Sequence, residues 1–269
     1  MGEYAIPSMK RISVITPSFN SEKYIEQTLR TVAMQREQGL EVEHLIMDGG
    51  STDGTAAIVA EYAHGHTKFI SSKDAGPADA INKGLALATG EYLCWLNSDD
   101  FYAEHALKRA IETLEAHPRK AFCFGHCPIV DAEGIEIRRF ITGFKEFWYP
   151  LSCRFMIRTL NYISQPAMVF RRSAFEAVGP LRTDLKAAWD YDLTLRLWRQ
   201  GGGVRVKQPE MAYFRWTPHS ISGSHYARQF EEEFTCVRQD AGRWAFSTFL
   251  HRFVSWGIVF CYTRMTRSI

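Results

Sequence analysis

Four short apolar runs alternate with helical stretches over the first hundred residues, and each run gives way to polar side chains. Arg11-Ile12-Ser13-Val14-Ile15-Thr16-Pro17 is β-branched and halted by proline, which predicts a first strand. Residues 42–48, 67–71 and 91–96 predict three more. Between them, residues 24–32, 56–62 and 78–88 carry apolar side chains at helical spacing. Strands and helices in this rhythm make βαβ units with right-handed crossovers. The fold expected is therefore α/β, a central mostly parallel sheet with helices on both faces. The polar endings Thr16, Asp48, Asp74 and Asp99 then gather on one sheet edge. In open α/β sheets ligands bind at that carboxyl edge.

The sharpest of these endings is Asn97-Ser98-Asp99-Asp100, delivered by the apolar run before it. Adjacent carboxylates repel unless a cation or solvent separates them. A hard divalent ion, Mg2+ or Mn2+, resolves the repulsion, with phosphate oxygens completing its shell. A turn capping the helix after residue 103 is the plainer reading of the same residues.

The second half is less regular. A helix over 106–117 places Ala106, Leu107, Ala110, Ile111 and Leu114 on one face, and Pro118 stops it. Residues 121–124, 129–130 and 136–140 read as strands, with a turn at 131–134. Residues 144–163 are aromatic and poorly periodic, which predicts a loop with short helices. A strand at 167–170, a helix at 173–179 and a helix from Trp189 to the Gly201-Gly202-Gly203 stop follow. Strands are expected at 204–207 and 211–215.

Beyond residue 242 the chain has no acid, but it carries Arg243, Arg252, Arg264 and Arg267. Phe246, Phe249, Phe253, Trp256 and Phe260 recur at steps of three and four. On a helix they form one aromatic stripe, suited to a membrane surface, to the catalytic domain or to another subunit. The expected division is a catalytic domain over 1–220 and a helical aromatic and basic extension over 221–269. Within the domain, about 11–120 would bind the donor and about 121–220 the acceptor.

A net charge of +2 gives no argument for a nucleic acid polymer as partner. The six cysteines lie mostly in apolar sequence, as reduced thiols of a cytosolic protein do. No secretory signal opens the chain, and no apolar stretch reaches the ~20 residues that span a bilayer. A cytoplasmic protein, or one resting on the cytoplasmic face of a membrane, is expected.

The motifs together resemble family 2 glycosyltransferases, nucleotide-sugar-dependent enzymes of GT-A fold, over roughly residues 11–220. Ile15-Thr16-Pro17-Ser18-Phe19-Asn20 is similar to the family's opening strand and turn. Asp48-Gly49-Gly50-Ser51-Thr52-Asp53-Gly54-Thr55 is close to its commonest signature. Lys73-Asp74-Ala75-Gly76 and Ala80-Ile81-Asn82-Lys83-Gly84 follow in order. Asn97-Ser98-Asp99-Asp100 sits at the metal motif and Trp189-Asp190-Tyr191-Asp192 at the catalytic acid motif.

The resemblance implies a role for each position. Asp99 would ligate Mn2+ or Mg2+, and Asp100 would ligate it too or touch the donor sugar. Asn97 stands where the family has its first metal-motif acid, and with Ser98 it would line the donor site. Asp48 would read the nucleotide base or cap its own glycine turn. Thr16, Pro17 and Ser18 would share that pocket, and Asp74 would add a donor contact. Lys83 and Arg215 would face the diphosphate, and His219 would lie near it or the metal. Asp190 would be the general base, although Trp189 replaces the glutamate usual before it. Gln239-Asp240-Ala241-Gly242-Arg243-Trp244 has one residue too many for the motif of processive synthases, so transfer of a single sugar is expected. The acceptor would be a glycan or a lipid-linked saccharide in surface polysaccharide or lipopolysaccharide synthesis. Two other classes share such a sheet. A nucleotidyltransferase would want a basic phosphate loop after the first strand. A non-catalytic sugar-nucleotide-binding or scaffold protein would draw only on the Asn97 and Trp189 departures.

Overall fold

The computed structural model describes residues 9–36, 40–63, 65–217 and 226–265. Strands β1 (Arg11–Ser18), β2 (Glu41–Asp48), β3 (Thr67–Ser71) and β4 (Tyr92–Trp95) alternate with helices α1 (Ile25–Arg36), α2 (Thr55–Tyr62) and α3 (Pro77–Leu87). β5 (Phe101–Tyr102), α4 (Ala106–Ala116), β6 (Phe122–Phe124), β7 (Ile129–Val130) and β8 (Glu136–Ile137) follow. Next come α5 (Arg139–Phe147), α6 (Arg154–Thr159), β9 (Met168–Arg171), α7 (Arg172–Val178) and α8 (Trp189–Arg199). β10 (Gly203–Arg205), β11 (Ala212–Arg215), α9 (Tyr226–Ala241) and α10 (Phe246–Met265) complete the described chain.

The main sheet has the order β10-β6-β9-β4-β1-β2-β3. Every pairing in it is parallel except those of β9, which runs antiparallel to β4 and β6. β1 lies beside the central strand β4 and is buried through seven of its eight residues, because helices cover both faces. Its register sets the functional edge. Ser18 lies opposite Asp48, and Asp48 lies opposite Ser71 on β3. Three polar strand ends thus stand in one row. Gly84 fixes how closely α3 lies on β1, since a Cβ there would come 2.6 Å from Ile15 Cγ2.

The second half departs from the sequence expectation in three places. The strand expected over 136–140 ends at Ile137, and the chain turns into α5 at Arg139. The short helices expected within 144–163 are the end of α5, a 3₁₀ turn at Tyr149–Leu151 and α6, with α5 starting earlier, at Arg139. The aromatics there look aperiodic because α5 buries one side and exposes the other. Thr142 points inward, whereas Phe140, Phe144 and Phe147, at helical spacing, are exposed. A small sheet, β5-β11-β7-β8, also forms beside the main one.

The expected C-terminal extension is two helices that share the catalytic core. Cys236 and Val237 of α9 join the same buried cluster as Ile15, Trp95, Phe170 and Tyr191, and Val254 and Ile258 of α10 pack against it. α9 also fastens the start of α8. The Glu232 carboxylate accepts hydrogen bonds from the backbone N–H groups of Lys186, Ala187 and Ala188 at 2.8–3.1 Å. Such a carboxylate complements the positive end of a helix. On α10, Ser247, Thr248 and His251 face inward and are buried, while Phe246, Phe249, Phe253 and Trp256 are each about two-thirds exposed. No described helix is long and apolar enough to cross a membrane.

Candidate active site

A cavity of about 650 Å³ opens at the carboxyl edge of the main sheet. Pro17, Ser18, Gly49 and Asp74 line it from the first βαβ units, and Asn97, Ser98 and Asp99 from the loop after β4. The opposite half of the chain contributes Lys145, Asn161, Ser164, Gln165, Trp189, Asp190 and Gln229. The cleft anticipated from the polar strand ends is therefore formed, and it is closed by helices from the second half.

The two acids of the loop part company. Asp100 is fully buried, away from the cavity. Its Oδ1 accepts the Arg215 backbone N–H at 2.9 Å and its Oδ2 the Asn97 side-chain amide at 3.0 Å. The Arg215 guanidinium lies behind the loop and stitches it to its surroundings. It donates to the carbonyls of Asp99, Asp131 and Ala132 and to Gln27 Oε1, at 2.5–2.9 Å, with Tyr24 and Phe101 rings beside it. This corrects two expectations. Arg215 holds the acidic loop from behind and does not face the cavity, and Asp100 is held by that scaffold, turned away from the cavity.

Asp99 alone of the pair lines the cavity. Burial raises the pKa of both carboxyls, and the Asp99 charge pushes Asp100 further. A cation at Asp99 would favour its ionised form. Among the described residues, no group of three or more His, Cys, Asp or Glu could hold a metal ion by itself. Mg2+ and Mn2+ sites built on one or two carboxylates draw their remaining oxygens from substrate phosphates and water. One cavity-facing carboxylate from the acidic loop fits that type of site and does not fit an all-protein cage. His219 lies outside the described residues.

Asp48 is buried beneath the glycine turn that follows it. Its carboxylate accepts hydrogen bonds from the backbone N–H groups of Gly50 and Ser51 and from the hydroxyls of Ser51 and Ser71, at 2.5–3.1 Å. Burial works to raise its pKa, but the hydrogen bonds outweigh it and hold the group below its usual value. The turn-capping role weighed from the sequence is thus fully formed, and Oδ1, with one donor, keeps capacity for another. Asp74 lines the cavity and accepts the Gly76 N–H at 2.8 Å.

Thr16 and Lys83 stand off the cavity wall, against expectation. Thr16 is buried within the sheet layer, its Oγ1 2.9 Å from His44 Nε2. Alternation along β1 sends Ser18, not its neighbour Pro17, to the same side of the strand as Thr16, but only the strand's end reaches the cavity. The Lys83 ammonium pairs with Asp79 one helical turn away at 2.9 Å and donates to the Lys73 carbonyl at 3.2 Å.

Asp190 occupies the first turn of α8, its Oδ1 accepting the Tyr191 N–H at 2.7 Å. Burial pushes its pKa up to about 6, opposed by that hydrogen bond and by the Lys145 ammonium. Lys145 donates to Ser164 Oγ at 3.2 Å. Glu233 of α9 lies behind this wall. Its Oε1 accepts the side-chain amides of Asn161 at 2.9 Å and Gln229 at 3.0 Å, which leaves both amide carbonyls available to the cavity. Burial pushes Glu233 up to about 7. A carboxyl group with a pKa between acid and neutral, beside hydrogen-bonding groups suited to a polyol, is an arrangement able to activate a hydroxyl. Lys145, Asn161, Gln229 and Glu233 escaped the sequence reading. The i, i+3 placement of Thr142 and Lys145 opposite the phenylalanines of α5 was the available signal.

The family model for glycosyl transferase family 2 matches residues 13–179. The chain belongs to glycosyl transferase family 2. An uncharacterized glycosyltransferase of Mycobacterium tuberculosis is 30% identical over 192 residues, covering 70% of this chain and 69% of that protein. The poly(ribitol-phosphate) beta-N-acetylglucosaminyltransferase TarS of Staphylococcus aureus is 35% identical over 112 residues, 40% of this chain and 20% of TarS. The structure of TarS 1–349 with UDP-GlcNAc superposes with a TM-score of 0.67 at 23% identity, covering 87% of this chain and 66% of that one. The mannosyltransferase PcManGT of Pyrobaculum calidifontis, in complex with GDP-Man and Mn2+, gives 0.65 at 18% identity over 96% of this chain and 76% of that one. The fold of this glycosyltransferase is accordingly GT-A. Its family match covers the βαβ units and the acidic loop and ends before Asp190, Arg215 and Glu233.

Proposed function

We propose that this glycosyltransferase moves a single sugar from a nucleoside-diphosphate sugar to a saccharide acceptor, free or lipid-linked, with inversion at the anomeric carbon. The observation that carries this reading is that Asp99 and Asp190 line one cavity, each from a different half of the chain. The donor lies along the carboxyl edge of β1, β2 and β4, beside Pro17, Ser18, Asp74, Asn97 and Ser98, with Asp48 shaping the turn at the base. Mn2+ or Mg2+, when held by Asp99, supplies positive charge for the departing diphosphate. Asp190 accepts the proton of the attacking hydroxyl, and the Asn161 and Gln229 carbonyls orient that acceptor. The relatives solved with UDP-GlcNAc or with GDP-Man and Mn2+ support a donor and a cation of these classes. Free thiols, four of them buried, support a cytoplasmic setting. The exposed aromatics of α10 support a peripheral contact with a membrane. The products would then enter a surface polysaccharide or lipopolysaccharide.

The test is a panel of nucleotide sugars with Mn2+ and Mg2+, read by donor hydrolysis and by the mass shift of saccharide acceptors. Asp99→Ala should lose transfer by at least about a hundredfold while keeping its thermal unfolding cooperative. Full turnover in excess chelator, or a product that retains the donor's anomeric configuration, overturns the mechanism.

A further inference from the structure

Large apolar side chains are exposed on three consecutive elements outside the C-terminal stripe. On α5, Phe140 is 86% exposed and Phe147 67%; Leu151 of the following 3₁₀ turn and Phe155 of α6 are exposed as well. α6 packs beside α10, and the rings of Phe155 and Phe246 stack with centroids 6.3 Å apart. The exposed Phe155 of α6 is therefore continuous with the aromatic stripe of α10, and the α5 phenylalanines precede it along the chain. Surfaces of soluble monomers seldom keep so much apolar area together unless something covers it.

We propose that α5, α6 and α10 form one docking face for an anionic phospholipid bilayer, and that the acceptor reaches Asp190 from that bilayer as a lipid-linked saccharide. Charge complementarity selects the occupant. Exposed arginines are set among the aromatics: Arg243 against the Trp244 ring and Arg252 over Phe234, with Arg139 paired to Glu136 at 3.0 Å. The acids nearby are already engaged. Asp240 is held by Arg154, Arg158 and Arg199, and Glu146 meets His126. Aromatic rings seat at headgroup level while arginines meet lipid phosphates. A two-fold contact with a second copy would present the same basic patch on both sides and bring it no excess of acids.

α5 links this face to the chemistry. Its outward side carries Phe140, Phe144 and Phe147, and its inward side carries Lys145, which lines the cavity with Asp190. One helix thus borders both the bilayer and the acceptor end of the active site. An acceptor anchored in the bilayer reaches Asp190 past this helix without leaving the surface. This acceptor assignment rests on the glycosyltransfer reading, whereas the docking face does not.

The experiment is flotation of the full chain with vesicles of phosphatidylcholine alone and with about 30 mol% phosphatidylglycerol, at about 0.1 M salt. The protein should float with the anionic vesicles and dissociate as salt rises. Phe147→Ser with Phe249→Ser, one residue from each helix, should reduce the bound fraction by about tenfold or more. Arg243→Glu with Arg252→Glu should abolish the preference for anionic lipid. Cooperative thermal unfolding of each variant establishes that the fold is intact. Absence of flotation, or a dimer in light scattering that the phenylalanine variant converts to monomer, overturns the docking face. With a saccharide acceptor that the enzyme accepts both free and lipid-linked, docking predicts a lower KM for the lipid-linked form in anionic vesicles, lost in the phenylalanine variant. Equal KM values overturn the acceptor route, while donor hydrolysis tests the glycosyltransfer reading separately.

Discussion

As the proposed general base, Asp190 has to be ionised to take a proton, and its burial opposes that. With a pKa raised to about 6, it is charged at neutral pH and becomes protonated just below. The rate should therefore be level above about pH 7 and fall about tenfold per unit below pH 6, since only the carboxylate form acts. Asp190→Asn should lower kcat by about 10²–10⁴ with nucleotide affinity unchanged. The Lys145 ammonium favours the charged form, so Lys145→Met should move the acidic limb to higher pH, and Lys145→Arg should restore it. A pH-rate profile of the three variants checks this. An unmoved limb in Lys145→Met would mean that Asp190 is not the group being titrated. The same scale separates the two acids of the loop after β4. Their sequence positions are equivalent to the eye, but Asn97 and the Arg215 backbone claim Asp100, and only Asp99 is left to meet a ligand.

At the level of elements, the βαβ units were legible because each strand is apolar along its length and each helix repeats at 3.6 residues. The acidic loop and the Asp190 helix start were legible for the same reason: both follow directly from such a pattern. α5 was not, because its outward side is as apolar as a core, and the usual inference from hydrophobic periodicity to burial runs backwards there. α9 falls within the expected helical extension, but its part in the site was not legible because its contribution is polar. Glu231-Glu232-Glu233 looks like a solvated run, yet Glu232 caps α8 and Glu233 is buried. Lys83 and Arg215 were placed by the resemblance, and Thr16 by its strand end as well, and neither signal tells which way a side chain turns. The buried Glu233 has a measurable consequence. Its pKa rises from 4.5 to about 7 in the folded state, so the native protein holds a proton that the unfolded chain releases in that window. Its contribution to stability is full below pH 4.5 and lost as pH rises through 7. Glu233→Gln, which is never charged, should gain up to about 3 kcal/mol at pH 8 and almost nothing at pH 4. Thermal melts at the two pH values decide it, and equal shifts at both would show that the carboxylate is not buried as charge.

Across the whole molecule, the C-terminal helices bind catalytic core and surface together. α10 turns Ser247, Thr248 and His251 inward and its aromatics outward, so a chain ended at Gly242 would uncover the core as well as losing the stripe. That truncation should lower the melting temperature and aggregate, whereas Phe249→Ser with Phe253→Ser should leave melting within a few degrees of the intact protein. Scanning calorimetry distinguishes them, and a truncated chain that melts like the intact one would separate α10 from the core. The match to the family stops at residue 179, yet the proposed base and the amide anchor Glu233 come later in the chain. A chimera made by grafting residues 13–179 into a relative would therefore import this enzyme's nucleotide end with the recipient's own base. Donor preference should travel with the graft, and acceptor choice should be a hybrid trait, inherited from both parents because its wall is built from both segments.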